Sequence, residues 1–271
     1  MKSNKIAIMG CGWLGFPLAK HLLKNGYLIN GSTTKEEKIN QLRIAGIQPY
    51  LLTASPELKG TQLPDFFNVK TLILNIPPGR RRSDVEVFHL QQIKSIVIKA
   101  EAHGIEKFIF LSSTSVYGDQ NKEVTESTQL LPNTASSRAL KEVEEWLKSL
   151  DLEVTILRLG GLVGEDRKAG RFLAGKKNVK NGQTPVNLLH QDDGINIIHQ
   201  IIKQEKWGEI FNCCSDEHPT REAFYTAQAI KQNFEPPTFL PEPSSNFKIV
   251  SNQKIKKSLN YTFQYPNPMG F

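Results

Sequence analysis

The stretch Ile6-Ala7-Ile8-Met9-Gly10-Cys11-Gly12-Trp13-Leu14-Gly15 constrains this chain more than any other. A short apolar run leads directly into G-x-G-x-x-G, and an apolar stripe of Leu14, Leu18 and Leu22 follows and stops at Gly26. The pattern reads as strand, tight turn and helix, and each glycine has a steric task. Gly10 permits the sharp turn, Gly12 leaves bare backbone where a phosphate can approach, and Gly15 lets the helix pack close to the strand. The N–H groups of the first helical turn then favour an anion placed over them. Gly10, Gly12, Trp13, Leu14 and Gly15 are therefore candidate contacts to the pyrophosphate of a dinucleotide.

The rest of the chain repeats the alternation. Strands are expected at 27–30, 49–53, 71–76, 108–111, 153–158 and 210–213. Helices are expected after the patterns Thr34-Lys35-Glu36-Glu37 and Ser83-Asp84-Val85-Glu86, which read as capping boxes, and near Thr134, Ile195 and Pro219-Thr220. Such alternation predicts an α/β fold, a Rossmann-type doubly wound parallel sheet, with ligands at the carboxyl ends of the strands. After the strand at 153–158 the alternation loosens into glycine-containing loops. The reading is a dinucleotide-binding domain over 1–160 and a small C-terminal substrate lobe over 161–271, closed by a proline-rich tail.

Composition excludes several alternatives. With 271 residues the chain can bury a sizeable core, and its three cysteines, Cys11, Cys213 and Cys214, form neither a C-x-x-C pair nor an even disulfide framework. The net charge of +7 comes from scattered lysines with no stacking motif, so no nucleic-acid partner is expected. No apolar run is long enough to cross a membrane, and the chain reads as cytoplasmic. His190, Asp192 and Asp193 could suggest a metal. The two acids open a helix, where they favour its dipole, so none is expected.

An acidic residue after the second strand would bind the ribose 2′-hydroxyl of NAD. None stands there. Gly31-Ser32-Thr33-Thr34-Lys35 instead offers hydroxyls and a cation, so Ser32, Thr33 and Lys35 become candidate contacts to a 2′-phosphate and NADP is preferred over NAD. An ordinary polar loop with hydroxyl caps is the other reading. Arg80, Arg81 and Arg82 precede a helix N-terminus, a position that either an anion nearby or plain solvation would explain.

A second hydroxyl cluster, Leu111-Ser112-Ser113-Thr114-Ser115-Val116-Tyr117-Gly118, closes the fifth strand. With the glycine triplet, this S-S-x-x-V-Y-G resembles the extended short-chain dehydrogenase/reductase superfamily, which includes sugar-nucleotide epimerases and dehydratases. Glu126, Pro132, the run 157–164, His190-Gln191-Asp192-Asp193 and Phe211-Asn212 extend the likeness over nearly the whole chain. The runs G-W-L-G-x-P-L-A, S-S-T-S-V-Y-G-D and G-R-F-x-A-G-K are similar to its YeeZ-like atypical branch.

The resemblance implies a Y-x-x-x-K acid/base pair, and here the chain departs from it. Ser137 stands at the tyrosine position and only Lys141 matches. A cation can bring a phenol toward neutrality but not an alkyl alcohol. The candidate catalytic residues are thus Ser113, at the substrate-orienting position the resemblance implies, Tyr117 and Lys141. Tyr117 reads either as an acid or as a packed ring, and Lys141 either as a ribose ligand or as a surface lysine beside Glu144 and Glu145. Arg171, Lys176 and Lys177 could face an anionic substrate or simply solvent. Two functions fit: an NAD(P)-dependent oxidoreductase or epimerase on a small anionic or sugar-like substrate, or a non-catalytic protein that senses NADP. A homodimer is compatible with both.

Overall fold

The computed structural model describes residues 4–79, 82–164, 166–241 and 246–271. Seven strands form the central sheet: β1 (Lys5–Met9), β2 (Leu28–Thr33), β3 (Gln48–Leu51), β4 (Thr71–Leu74), β5 (Lys107–Ser113), β6 (Glu153–Leu159) and β7 (Ile210–Cys213). Their order is β7-β6-β5-β4-β1-β2-β3, a parallel sheet flanked by helices. Ile6 pairs with both Ile29 and Thr71, which puts β1 at the centre. Ile6, Ala7, Ile8 and Met9 and all of β4 are buried, as sheet covered on both faces requires. The strand order reverses at β1, between β2 and β4, and such a switch point opens a crevice beyond the strands' carboxyl ends.

The longer helices are α1 (Gly15–Lys24), α2 (Ile39–Ile44), α3 (Val85–Ala102), α4 (Ala135–Lys148), α5 (Gln191–Lys203), α6 (Arg221–Lys231) and α7 (Gln253–Leu259), with a single turn at Leu63–Phe66. Among the described residues, no helix is long and apolar enough to cross a membrane. The chain divides into two compact units: Met1–Ser112 with Pro132–Leu157 and His199–Ile210, and Ser113–Leu131 with Arg158–Ile198 and Phe211–Phe271. In the first, α3 packs along α4, and the core holds Ile8, Leu18, Leu22, Phe66, Phe108 and Phe110. In the second, Gly161–Val163 pairs with Leu188–His190 over a cluster of Val163, Ala169, Val186, Leu188 and Phe224.

Several local expectations are corrected. Neither predicted capping box forms. At the first, β2 runs on through Thr33, whose hydroxyl accepts from the Lys35 N–H at 3.2 Å, and a short 3-10 turn (Glu36–Lys38) precedes α2 with no side-chain cap. At the second, Asp84 sits at the N-cap of α3, but its carboxylate accepts two bonds from Arg82, both 2.8 Å. The same pairing answers the charge conflict at Arg82, so no outside anion is needed there. Arg80 and Arg81 lie outside the described residues. Lys248–Val250 pairs with Lys122–Val124, and buried Asp193 accepts from the Tyr261 hydroxyl and from the Gln264 and Tyr265 N–H groups at 2.6, 2.8 and 2.9 Å.

Candidate cofactor site

The glycine turn lies in the first unit at the end of β1, and its geometry separates two glycines the fold needs from one it does not. Gly10 has φ +105°, where L side chains are strained, and a Cβ there would lie 2.6 Å from the Asn75 carbonyl oxygen. A Cβ on Gly15 would lie 2.2 Å from the Gly10 carbonyl oxygen. A Cβ on Gly12 would meet nothing within 4 Å. Protein packing therefore leaves open the space over Gly12 that a phosphate would use.

Two side chains hold the turn in place. The Ser32 hydroxyl accepts from the Gly10 N–H at 2.9 Å, while the Ser32 carbonyl accepts from the Cys11 N–H at 2.8 Å. Asn75, just past β4, donates from Nδ2 to the Gly10 carbonyl at 2.8 Å. The α1 N-terminus behind the turn has no side-chain cap and no acid in its first turn, which suits an anion. Leu14 is buried there, so its part is played by backbone, whereas Trp13 is half-buried. Cys11 is buried, and desolvation pushes its thiol up to about 12, which disfavours the thiolate.

The cavity beside this turn measures about 290 Å³ and includes Gly10, Gly12, Ser32, Thr33, Thr34, Lys35 and Lys38 in its lining, with Ile76 and Pro77 beyond β4. Among the described residues, no carboxylate lines it. Of the residues expected to read a 2′-phosphate, Lys35 faces the cavity and its ion pair with Glu37 is long, 3.6 Å, and exposed. Ser32 and Thr33 line it too, but their hydroxyls are bound within the fold, to the Gly10 and Lys35 N–H groups. Thr34, which the sequence reading placed in the hydroxyl run, and Lys38, which it passed over, are lining residues too. The signal for Lys38 was its spacing, since the Lys38 N–H closes a turn on the Lys35 carbonyl at 3.1 Å and both residues line the cavity. The open Gly12, the uncapped helix and the absence of carboxylates together fit a dinucleotide.

The hydroxyl cluster resolves differently. In the first unit, Ser112 donates to Glu144 at 2.6 Å, and both side chains are buried, so Glu144 does not share the exposed charged face expected of it. Lys141 lies 3.6 Å from Glu145, one turn along α4, with its side chain 31% exposed. Ser137 is fully buried in a capping box: its hydroxyl accepts from the Thr134 N–H at 3.0 Å, and the Thr134 hydroxyl accepts from the Ser137 N–H at 3.2 Å. The residue at the tyrosine position thus starts α4.

In the second unit, Ser113 is half-buried and its oxygen accepts from the Ser115 N–H at 3.2 Å. Tyr117 is completely buried; its hydroxyl donates to Asn212 Oδ1 and accepts from Arg158, both at 2.7 Å. Burial pushes its phenol up to about 12 although Arg158 pulls it down. Tyr117 is thus packed inside the unit, with its hydroxyl held between Asn212 and Arg158. Arg158 also donates to the Glu126 carbonyl at 3.1 Å, and Glu126 accepts from the Asn212 N–H at 2.8 Å. Of the loop cations, Lys177 is paired with Glu235 at 2.5 Å, and Arg171 lines a depression with Asp166 and Lys168.

Comparison with known proteins agrees with this geometry. The NAD(P)H-binding family profile matches residues 12–188. Protein YeeZ of Escherichia coli (strain K12) is 40% identical over 270 residues, 98% of each chain. Among solved structures, a short-chain dehydrogenase/reductase superfamily protein from Agrobacterium tumefaciens with bound NAD superposes with a TM-score of 0.79 at 18% identity, covering 98% of this chain and 94% of that one. The UDP-glucose 4-epimerase of Thermotoga maritima, with UDP-glucose, gives 0.78 at 17% identity, covering 96% and 94%. The chain therefore belongs to the NAD(P)H-binding family, as a homologue of YeeZ built on the Rossmann fold of the dehydrogenases and epimerases.

Proposed function

We propose that the chain is an NADP-preferring enzyme of the oxidoreductase or epimerase/dehydratase type, acting on a small anionic or sugar-like substrate. The observation that carries this reading is the carboxylate-free cavity of the glycine turn, with Thr34, Lys35 and Lys38 on its rim and nothing over Gly12. Backbone N–H groups at the α1 N-terminus would hold the pyrophosphate, and the two lysines with Thr34 would hold the 2′-phosphate. The bound nicotinamide supplies a hydride donor or acceptor. The chain's own part in the chemistry falls to Ser113, whose oxygen accepts only locally and whose proton is available to a substrate oxygen, and to Lys141, loosely paired, as the ribose ligand. The epimerase of similar fold, crystallised with UDP-glucose, supports a sugar-like substrate.

Calorimetric titration with NADP and NAD tests the cofactor half. NADP should bind tighter by about 10- to 100-fold, since charge-assisted bonds contribute about 1.5–3 kcal/mol. A Lys35→Ala, Lys38→Ala double variant should lose most of that ratio while keeping NAD affinity. Equal affinities in the parent protein would overturn the preference. Reduction or oxidation of the bound cofactor on adding carboxylate, phosphate or sugar substrates tests the enzymatic half, and turnover of none of them would count against it.

A further inference from the structure

Besides its basic rim, the cavity of the glycine turn has an apolar lining of Leu52, Ala54, Ile76 and Pro77, and α3 contributes one side chain to it, Gln92. The segment after β3 is held in place by α3. Thr53–Ala54 pairs antiparallel with Leu58–Lys59, and three α3 residues bind this hairpin: Gln92 Nε2 donates to the Ala54 carbonyl at 2.6 Å, the Ser95 hydroxyl accepts from the Leu58 N–H at 2.8 Å, and Lys99 donates to the Leu58 carbonyl at 2.8 Å. A carbonyl only accepts, so the Gln92 atom facing Ala54 is the nitrogen. Its oxygen lies 3.1 Å from Nδ1 of His89, a fully buried ring one turn earlier on the helix. An amide oxygen also only accepts, so the imidazole carries its proton on Nδ1 and donates, and burial, which lowers its pKa, keeps it neutral. His89 Nε2 is then an acceptor, with no partner among the described residues. The Gln92 amide is therefore fixed at both ends. Exchanging its nitrogen and oxygen would set N–H against N–H at His89 and oxygen against oxygen at Ala54. One N–H and one lone pair of the amide remain open among the described residues. The other amide of the lining, Asn75, donates to the Gly10 carbonyl.

We infer that Gln92 reads the adenine base of the bound dinucleotide, its oxygen accepting from the 6-amino group and its nitrogen donating to the neighbouring ring nitrogen, and that His89 is the positioning residue that holds the amide in this orientation. The inference rests on the dinucleotide reading above and adds the base to it. An open donor beside an open acceptor complements an adenine edge, where the amino group stands next to a ring nitrogen that accepts. Hypoxanthine has a carbonyl at that point and presents an acceptor instead. A glutamine free to turn could serve either base by exchanging its two ends. This one is held against the exchange by the His89 N–H and the Ala54 carbonyl. Leu52, Ile76 and Pro77 supply apolar surface for the flat ring, so a few fixed polar groups in an apolar lining set the specificity.

The test is calorimetric titration of the full chain with NADP and with nicotinamide hypoxanthine dinucleotide phosphate, which keeps the 2′-phosphate, the pyrophosphate and the nicotinamide and changes only the base. NADP should bind at least about tenfold tighter, as expected where two hydrogen bonds are replaced by like groups facing each other. In Gln92→Leu the two should bind within about twofold of each other, while the ratio of NADP to NAD keeps its parent value, because the 2′-phosphate is read by other residues. In His89→Phe the hypoxanthine analogue should gain severalfold on NADP, since one restraint on the amide is gone. A purely structural role for the ring would weaken both dinucleotides alike, and that result would overturn the assignment of His89. Equal affinities in the parent protein would overturn the proposal and leave the dinucleotide reading standing, and this measurement depends on no variant. Retained discrimination in a folded Gln92→Leu protein would overturn it too, by placing the base contact on another residue. If neither dinucleotide binds, the dinucleotide reading fails and this inference fails with it.

Discussion

Replacing Gly12 with valine should separate cofactor binding from folding. The position is exposed, its backbone is not in the left-handed region, and its Cβ would meet no protein atom within 4 Å. The fold should therefore change by no more than about 0.5 kcal/mol, the range for surface substitutions free of special constraints. The valine methyls would fill the space through which a phosphate reaches the N–H groups. Losing two charge-assisted bonds of about 1.5–3 kcal/mol each lowers affinity by about 10²- to 10⁴-fold. Gly15→Ala is the control with the opposite signature. Its Cβ would sit 2.2 Å from the Gly10 carbonyl, so the turn must shift. Overpacking of this kind costs about 1–3 kcal/mol and should lower the melting temperature by several degrees. Thermal melting and calorimetry with NADP read the two effects. A folded Gly12→Val protein that binds NADP as tightly as the parent would refute the reasoning, and so would one that fails to fold.

Three further outcomes follow from buried groups. Ser137→Ala removes half of the α4 capping box and should cost about 0.5–2 kcal/mol of stability without lowering turnover per folded molecule; a selective loss of turnover would reinstate that residue in catalysis. Tyr117→Phe strips a donor from Asn212 and an acceptor from Arg158, both buried, and should destabilise by about 1–3 kcal/mol in chemical denaturation. Unchanged stability with abolished turnover would show instead that the phenol acts on substrate. His89 is fully buried with Nδ1 against Gln92 Oε1 at 3.1 Å, and burial holds its pKa below the ordinary 6.5. The unfolded chain then binds more protons below that value, so stability is complete above pH 6.5 and falls with pH beneath it, by at most about 1.4 kcal/mol per pH unit for this group. Melting curves across that window should be flatter for His89→Gln, and parallel curves for parent and variant would discount the histidine.

The sequence by itself determined what is local: the strand, turn and helix around Gly10 to Gly15, the alternation that makes a parallel sheet, and the missing acid after β2. Each depends on side-chain period or backbone conformation within a few residues, which a linear reading registers directly. Tertiary structure decided what depends on groups brought together from far along the chain. Asn75 pins a turn 65 residues away, and Tyr117 reaches Asn212 across 95. A hydroxyl looks equally available in either setting until its partner is known. In the sequence Ser32 reads as a phosphate contact and Ser137 as the residue at the tyrosine position, and the fold uses one to hold the glycine turn and the other to start α4. Glu144 looked like part of a charged helical face until β5 brought Ser112 to it. A buried polar group must find a partner, and which one it finds depends on packing geometry that residue order does not carry.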